Sequence, residues 1–419
     1  MERLIFHVDV NSAFLSWEAA RRVAVGEPDL RLVPSAIGGD RDKRTGVVLA
    51  KSIPAKKYGV KTGEPLAQAL RKCPSLQLAR PDFRLYERCS KAFMDICRRY
   101  APVVEKFSID ECFLDMSGTE RVYPDPIATA HEITDKIRAE LGFTVNVGIS
   151  SNKLLAKMAS DFEKPDKVHT LFSREIREKL WPLPVGELFT VGHSTAEKLM
   201  QARIRTIGEL AGADVARLQY LLGDKLGQHL HNYANGIDPS PVLAEPEEAK
   251  GYSVSTTLAE DVTEREEARR VLLALADSVT ARMRHDGARS ECVAVAIRSN
   301  DFKTRSHQRR LDEPTDITSE VYRIGCELFD ELWDGVTPLR LLGLSLTALS
   351  RGAPDQISLF SDEQREKERK IDRAVDSIRG KFGAGTIVRG SSCGTRTEVG
   401  KKYRAQMEND TKKKREDDV

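Results

Sequence analysis

The sequence predicts an α+β protein of several domains, and three observations carry that expectation. The first 165 residues run in the order strand, helix, hairpin, helix, strand, helix; a second strand-and-helix order spans residues 252 to 349; and between them GIDPSPVLAEPEEAK, 236 to 250, is rich in proline and acid and reads as a linker. At 419 residues the length fits roughly three domains.

The elements follow in order. RLIFHVD, 3 to 9, is a short apolar strand interrupted by His7 and Asp9, and 12 to 25 has helical spacing. A helix is expected at 83 to 101, a hairpin in FSIDECFLDMS, and a helix over 124 to 141 that starts near a proline. TVNVGIS, 144 to 150, is a strand, and the helix 151 to 163 should stop at Lys164-Pro165. This order predicts a sheet with its helices on one face. Residues 183 to 211 read as short helices joined by glycine turns. The second region runs strand YSVSTTL, helix 264 to 286, strands CVAVAIRS and TRSHQRRL, helix 317 to 334 and strand RLLGLSLTAL. After it come QISLF, an amphipathic helix at 363 to 380 that packs back onto the body, and a charged, disordered end, KKKREDDV.

Composition narrows the class. Charged residues make up 31% and hydrophobic residues 40%, the balance of an ordinary globular protein. The start, MERLIFHVDVNSAF, lacks the basic opening and long apolar core of a secretory signal, and no apolar run approaches the roughly 18 residues of a membrane span. The 7 cysteines are scattered without a CxxC pair, so reduced thiols in a cytoplasmic protein are expected, with neither a disulfide framework nor a zinc site. A net charge of +2 does not by itself indicate nucleic acid. The bias is local: Arg41, Lys43, Arg44, Lys51, Lys56, Lys57 and Lys61 face one acid, Asp42, and Arg298, Lys303, Arg305, Arg309 and Arg310 face Asp301. Either patch alone reads as a solvated face; one-sign charge in strand and loop stretches is also what phosphate contact requires.

FSIDECFLD, 107 to 115, carries the chemical question. Neighbouring strand residues point to opposite faces, so Asp110 and Glu111 within an apolar run put at least one charge on a buried face. Either the pair sits at a hairpin tip between FSI and CFL, or a cation or metal holds it. Asp9 supplies a further acid at the end of the first strand. If that strand pairs beside the hairpin, Asp9, Asp110 and Glu111 form an oxygen-rich cluster suited to Mg²⁺. Two ions between the carboxylates would let them tolerate one another.

FHVDVNSAFLSWE, SIPAKKYGVKTGEP, FSIDECFLDMSG and VGISSNKLLAKMASDFEKP occur in this order. Together they resemble the Y-family translesion DNA polymerases over about residues 3 to 349. The bacterial polymerase IV branch is the nearest, and the SIPAKKYGVKTGEP segment is also similar to polymerase V catalytic subunits. The resemblance implies a right-hand polymerase with an antiparallel-sheet palm (1–10 and 81–172), small fingers (11–80) and a helical thumb with a helix-hairpin-helix (173–240). A linker (241–250), an α+β little finger (251–349) and a C-terminal tail (350–419) complete it. It implies template-directed, error-prone synthesis without proofreading, in DNA repair and damage tolerance of the SOS and mutator kind.

The residues follow position by position. Asp9, Asp110, Glu111 and the carbonyl of Val10 match the family's ligands for two Mg²⁺ ions. Phe14 matches the aromatic steric gate that excludes a 2′-hydroxyl, Ser12 lies in the floor of the nucleotide pocket, and Lys56 and Lys164 match cations that neutralise the triphosphate. Val191-Gly192-His193 stands at a phosphate-gripping turn, and Lys303, Arg305, Arg309 and Arg310 follow the DNA backbone. Gln356, Ile357, Ser358, Leu359 and Phe360 resemble the peptide that inserts into the bacterial sliding clamp (β subunit). The implied partners are thus primer–template DNA, deoxynucleoside triphosphates and the clamp, for a monomer in the bacterial cytoplasm, on the nucleoid when working, with no membrane. This chain departs from the pattern at Asn11, often aspartate in the family, at Ser12 and Ala13, often bulkier, and at Ile53, commonly tyrosine. Two rivals stand beside this reading: a catalytically silent DNA- and clamp-binding scaffold, and a nucleotidyl cyclase suggested by GGD at 38 to 40.

Overall fold

The structure is a computed structural model that describes residues 3–39, 46–351, 363–383 and 386–389. The chain divides into two compact units, with the main boundary between Glu247 and Glu248.

The first unit opens with strand β1 (Ile5–Val10) and helix α1 (Ala13–Ala24). Strands β2 (Ser35–Gly38) and β3 (Val48–Lys51), helices α2 (Ile53–Lys57) and α3 (Leu66–Lys72) and strand β4 (Gln77–Ala79) follow. They form a three-stranded sheet of order β3-β2-β4, which the sequence reading did not contain. Its core is small, built on Ala36, Val48, Ala55, Val60, Leu66 and Ala69. Helix α4 (Phe83–Cys97), strands β5 (Val103–Lys106) and β6 (Glu111–Asp115), helix α5 (Pro126–Leu141), strand β7 (Val145–Ser150), helix α6 (Lys153–Ser160) and strand β8 (Val168–Thr170) complete the main layer.

The five-stranded sheet has the order β5-β6-β1-β7-β8. β1 lies at its centre, antiparallel to β6 and β7, and every residue of it is buried. The period of two divides it cleanly. Phe6, Val8 and Val10 join Phe93, Ile96, Ile133 and Ile137 of α4 and α5 in one core. Ile5 packs instead with Phe113 and Ala156 of α6, and His7 bonds Ser160 of the same helix. Helices therefore cover both faces, not one as the sequence reading held; a strand buried on both sides must be apolar almost throughout. Gly148 makes the second layer fit: a Cβ there would lie 1.9 Å from the Ala156 carbonyl and 2.5 Å from the Ser160 nitrogen. Only glycine lets α6 lie flush on β7.

Two boundaries differ from expectation. The hairpin's first strand is Val103–Lys106, so Phe107 to Asp110 make the turn and Glu111 opens the return strand. Both Phe107 and Ser108 donate N–H to the Glu111 carbonyl at 3.1 Å, which closes the turn one residue before Glu111. Helix α6 ends at Ser160, ahead of Lys164-Pro165, because the Asn146 side-chain amide takes the Ser160 and Glu163 carbonyls at 3.0 and 2.6 Å. Those carbonyls leave the helical ladder, and the chain turns away.

The rest of the first unit is helical: α7 (His193–Gln201), α8 (Ile207–Ala211), α9 (Val215–Leu222) and α10 (Asp224–Ala234). Their core, with Leu199, Ile207, Leu210, Leu218 and Leu230, is continuous with Leu154, Leu155 and Met158 of α6.

The second unit contains β9 (Gly251–Val262), α11 (Arg265–His285), β10 (Ala288–Ser299), β11 (Thr304–Thr315), α12 (Thr318–Leu332), β12 (Leu339–Arg351) and α13 (Glu363–Phe382). Its antiparallel sheet has the order β11-β10-β12-β9. Val271, Leu275, Val279, Leu328 and Phe329 of the two helices pack on Val293, Val295, Leu342 and Leu344. Helix α13 docks by charge: buried Arg284 reaches Asp372 at 3.3 Å and Asp376 at 2.7 Å, and Arg379 reaches Asp277 at 2.8 Å. The expected QISLF segment and KKKREDDV end lie outside the described residues. Among the described residues no helix is long and apolar enough to cross a membrane.

Candidate active site

Three segments distant in sequence meet at the end of the five-stranded sheet. Antiparallel register sets Asp9 of β1 directly opposite Glu111 of β6 and opposite Asn146 of β7. Opposed residues share a face, so both carboxylates point toward the α6 side, together with His7 and Phe113. Asp110 is held from its backbone: its carbonyl accepts the Val10 N–H at 3.0 Å, and its carboxylate accepts the Ser108 hydroxyl at 2.6 Å. Asp9, Val10, Asp110 and Glu111 are thus adjoining positions at one end of the sheet.

Lysines compensate the buried charge. Lys164 Nζ pairs with Asp9 Oδ2 and with Asp161 Oδ1, the latter at 2.7 Å. Lys157 Nζ pairs with Glu111 Oε2 at 2.8 Å. Burial pushes the Asp9 carboxyl up to about 6, against the pull of Lys164. Burial would also raise Glu111, but His7 and Lys157 outweigh it and hold that carboxyl down at about 2. Burial depresses the Lys164 ammonium, and the Asp9 and Asp161 carboxylates more than restore it, so its pKa stands above the usual lysine value. Two facing acids therefore have opposite shifts: burial prevails at Asp9, and the neighbouring His7 and Lys157 prevail at Glu111.

His7 is fully enclosed, and burial lowers its pKa against the pull of Glu111. His7 Nδ1 lies 2.8 Å from the Ser160 hydroxyl, which is also 2.8 Å from the Lys157 carbonyl. His7 Nε2 lies 3.5 Å from Glu111 Oε2. Among the described residues no three His, Cys, Asp or Glu side chains converge as a ready metal cage. The donor set is nonetheless all hard oxygen, and ammonium groups already sit on two of the carboxylates, which fits a hard divalent cation.

Phe14, on α1, is half-buried and stacks on Tyr86 at 4.5 Å with 9° between the ring planes; Phe83 meets it edge-on at 6.1 Å. Ser12 precedes that helix in the left-handed region, φ 49°, with its side chain exposed. A serine held there is uncommon. Lys56 is exposed at the end of α2, whose start is capped by the Ser52 hydroxyl, and it has no ion-pair partner among the described residues. Burial and the charge of Lys56 together lower the pKa of Lys51.

At the start of α7, Val191 is buried while Gly192 and His193 are exposed, and no side chain caps the helix. Free amides beside a glycine suit a phosphate. The other basic residues lie on the edge strand β11 or, for Lys303, just before it. Lys303 pairs with Asp301, Arg309 with Glu327 and Glu331, and Arg310 with Glu291. Arg305 has no ion pair among the described residues.

The sequence reading missed Lys157, Asn146 and Tyr86. A polar Asn inside the buried run TVNVGIS was the available signal for Asn146; the other two sit at ordinary helix positions.

The chain is similar to known proteins over most of its length. The impB/mucB/samB family matches residues 8–161, its C-terminal domain matches 249–359, and a DNA polymerase-iota thumb domain matches 186–238. The DNA polymerase IV of Clostridium acetobutylicum is 45% identical over 390 residues, covering 93% of this chain and 98% of its own. DNA polymerase IV 1 of Bacillus subtilis is 38% identical over 395 residues, covering 93% of each. A solved Y-family DNA polymerase chimera superposes with a TM-score of 0.70 at 23% identity, over 83% of this chain and 99% of that one.

Proposed function

The chain belongs to the impB/mucB/samB family of Y-family polymerases, as a translesion DNA polymerase of the polymerase IV type, and from that premise we propose how its residues divide the work. It is a DNA-directed DNA polymerase, a transferase acting in translesion synthesis and DNA repair, and its DNA substrate and divalent-metal dependence follow from the family. The silent scaffold is not favoured, and the cyclase reading fails with it.

Asp9, Asp110, Glu111 and the Val10 carbonyl would hold two Mg²⁺ ions in our reading. The observation that supports it is the register that sets Asp9 opposite Glu111 with Asp110 at the adjoining turn. Bound there, the ions would activate the primer 3′-hydroxyl and stabilise the leaving pyrophosphate. Lys164, paired with Asp9 here, and Lys56 of the fingers would neutralise the triphosphate. Phe14, stiffened by its stack on Tyr86, forms the floor against which a 2′-hydroxyl clashes, and the left-handed Ser12 brings backbone close to the sugar. No side chain stands out as a general base. Val191, Gly192 and His193 grip a DNA phosphate, and Arg305, with Lys303, Arg309 and Arg310, tracks the backbone without reading bases.

We assign palm to 1–10 and 81–172, fingers to 11–80, thumb to 173–240 and little finger to 251–349. Gln356 to Phe360 dock in the sliding clamp, and the protein works as a monomer on the nucleoid in the cytoplasm. Single-nucleotide insertion across a Mg²⁺ titration, with deoxy- and ribonucleotides, tests the assignment. Asp9→Asn should abolish insertion at every Mg²⁺ concentration, and Phe14→Val should raise ribonucleotide use about 10–100-fold while sparing deoxynucleotides. Normal insertion by Asp9→Asn sinks the metal assignment.

A further inference from the structure

Lys157 joins two parts of the first unit. From α6 its ammonium reaches Glu111 Oε2 at 2.8 Å, while the Phe107 and Phe189 ring centroids each lie 5.4 Å away. The two rings meet edge-on at 6.1 Å. The cation is thus held by a carboxylate and two aromatic faces, an arrangement that strengthens as water is excluded.

Its neighbours give it direction. Both contacts to the Glu111 carboxylate, from Lys157 and from His7, use Oε2. Oε1 is the oxygen left for another ligand. Phe107 belongs to the turn that carries Asp110, whereas Phe189 stands beside the start of α7. Phe189 N–H donates to Met158 Sδ at 3.4 Å, next to Lys157 in sequence. The residue after it, Thr190, has φ 75°, a strained conformation for a β-branched side chain, and Val191, Gly192 and His193 follow directly. The ring that faces Lys157 thus stands only a few residues before the start of α7.

We infer that Lys157 is a positioning residue: it fixes Glu111 through one oxygen, leaves the other for a divalent cation, and is itself steered by Phe189, so that DNA at the start of α7 is felt at Glu111. The inference rests on the reading of Glu111 as a metal ligand. The plainer alternative is a neutralising charge, for which Phe189 is replaceable by any apolar group and loss of the lysine frees the acid for metal.

The test is Mn²⁺ binding to the full chain, followed by electron paramagnetic resonance, with and without a primer–template blocked at its 3′ end. DNA affinity by anisotropy and thermal melting serve as controls. Lys157→Met should weaken Mn²⁺ binding about 10–100-fold, as removal of an outer partner of a metal ligand does, with DNA affinity unchanged. Lys157→Arg should recover most of it. Phe189→Leu should lose the gain in Mn²⁺ affinity that DNA brings, and Phe189→Tyr should keep it. Lys157→Met binding Mn²⁺ as tightly as wild type, or tighter, overturns the positioning role, and an undiminished DNA-linked gain in Phe189→Leu overturns the steering. If Lys157→Met does not fold, Lys157→Arg and the Phe189 pair still decide, because both keep a cation beside Glu111. Glu111→Gln in the same titration separates the two levels. Wild-type Mn²⁺ affinity there removes the ligand reading itself, whereas weakened binding beside an unchanged Lys157→Met removes only this proposal.

Discussion

The five-stranded sheet of the first unit and the four-stranded sheet of the second use charge in opposite ways. In the first, Asp9 and Glu111 lie on a strand pair covered by helices, and each is compensated by one lysine. In the second, the basic residues lie on β11, an edge strand exposed over most of its length, beside acids they share with solvent. Buried charge is expensive to misplace and so fixes geometry, as chemistry requires. Exposed charge is cheap to move and suits a partner that slides, such as a DNA backbone.

The largest effect should come from Glu111→Ala, which should lower nucleotide insertion by at least about 10³-fold while leaving primer–template affinity unchanged, as measured by single-turnover kinetics and anisotropy. Asp372→Ala puts the buried half of the comparison into the second unit. Asp372 accepts the Thr318 N–H at 2.8 Å and pairs with Arg284 and Arg389, so its loss should cost about 3–5 kcal/mol in denaturant unfolding of that unit. Insertion by the protein that remains folded should not change. Lys164→Ala should slow insertion by about 10²-fold, mostly at the nucleotide step, visible in kcat/KM for the triphosphate. Arg305→Ala should lower the slope of log affinity against log salt by about 1 and weaken DNA binding evenly across sequences. Arg309→Ala, already engaged by two glutamates, should change it less.

Acid sharpens the contrast within the first sheet. Glu111, held down at about 2, stabilises the fold fully above its ordinary 4.5 and loses that contribution as pH falls toward 2. Asp9, pushed up to about 6, acts oppositely: the folded state binds its proton more tightly, so stability declines as pH rises from 3.8 through 6. Glu111→Gln should flatten the acid limb of the stability curve, and Asp9→Asn should remove the decline above it. Chemical denaturation between pH 2 and 7 checks both.

Much of this was readable from residues, for physical reasons. The acids were legible because a carboxylate inside an apolar run demands compensation, whatever the fold. The alternation of β1 was legible too, though its two covered faces were not: a strand buried on both sides and one buried on one side differ only at His7 and Asp9. What the sequence concealed was the identity of the cations. Lys157 lies 46 residues from Glu111 and Lys164 lies 155 from Asp9, and nothing in either local pattern names its partner. The hairpin was placed too late because VVEK, its first strand, is half polar, and FSID, which looks like a strand, is the turn. The basic residues of β11 looked equivalent in sequence; their acid neighbours on β10 and α12 single out Arg305.

The measurement that meets the central claim most directly is insertion and DNA affinity in one sample of Asp110→Ala, on a primed template with Mg²⁺. The account predicts that the variant binds primer–template as wild type does and adds no nucleotide. Insertion at a rate near wild type would show that the chemistry lies elsewhere than at the end of the five-stranded sheet.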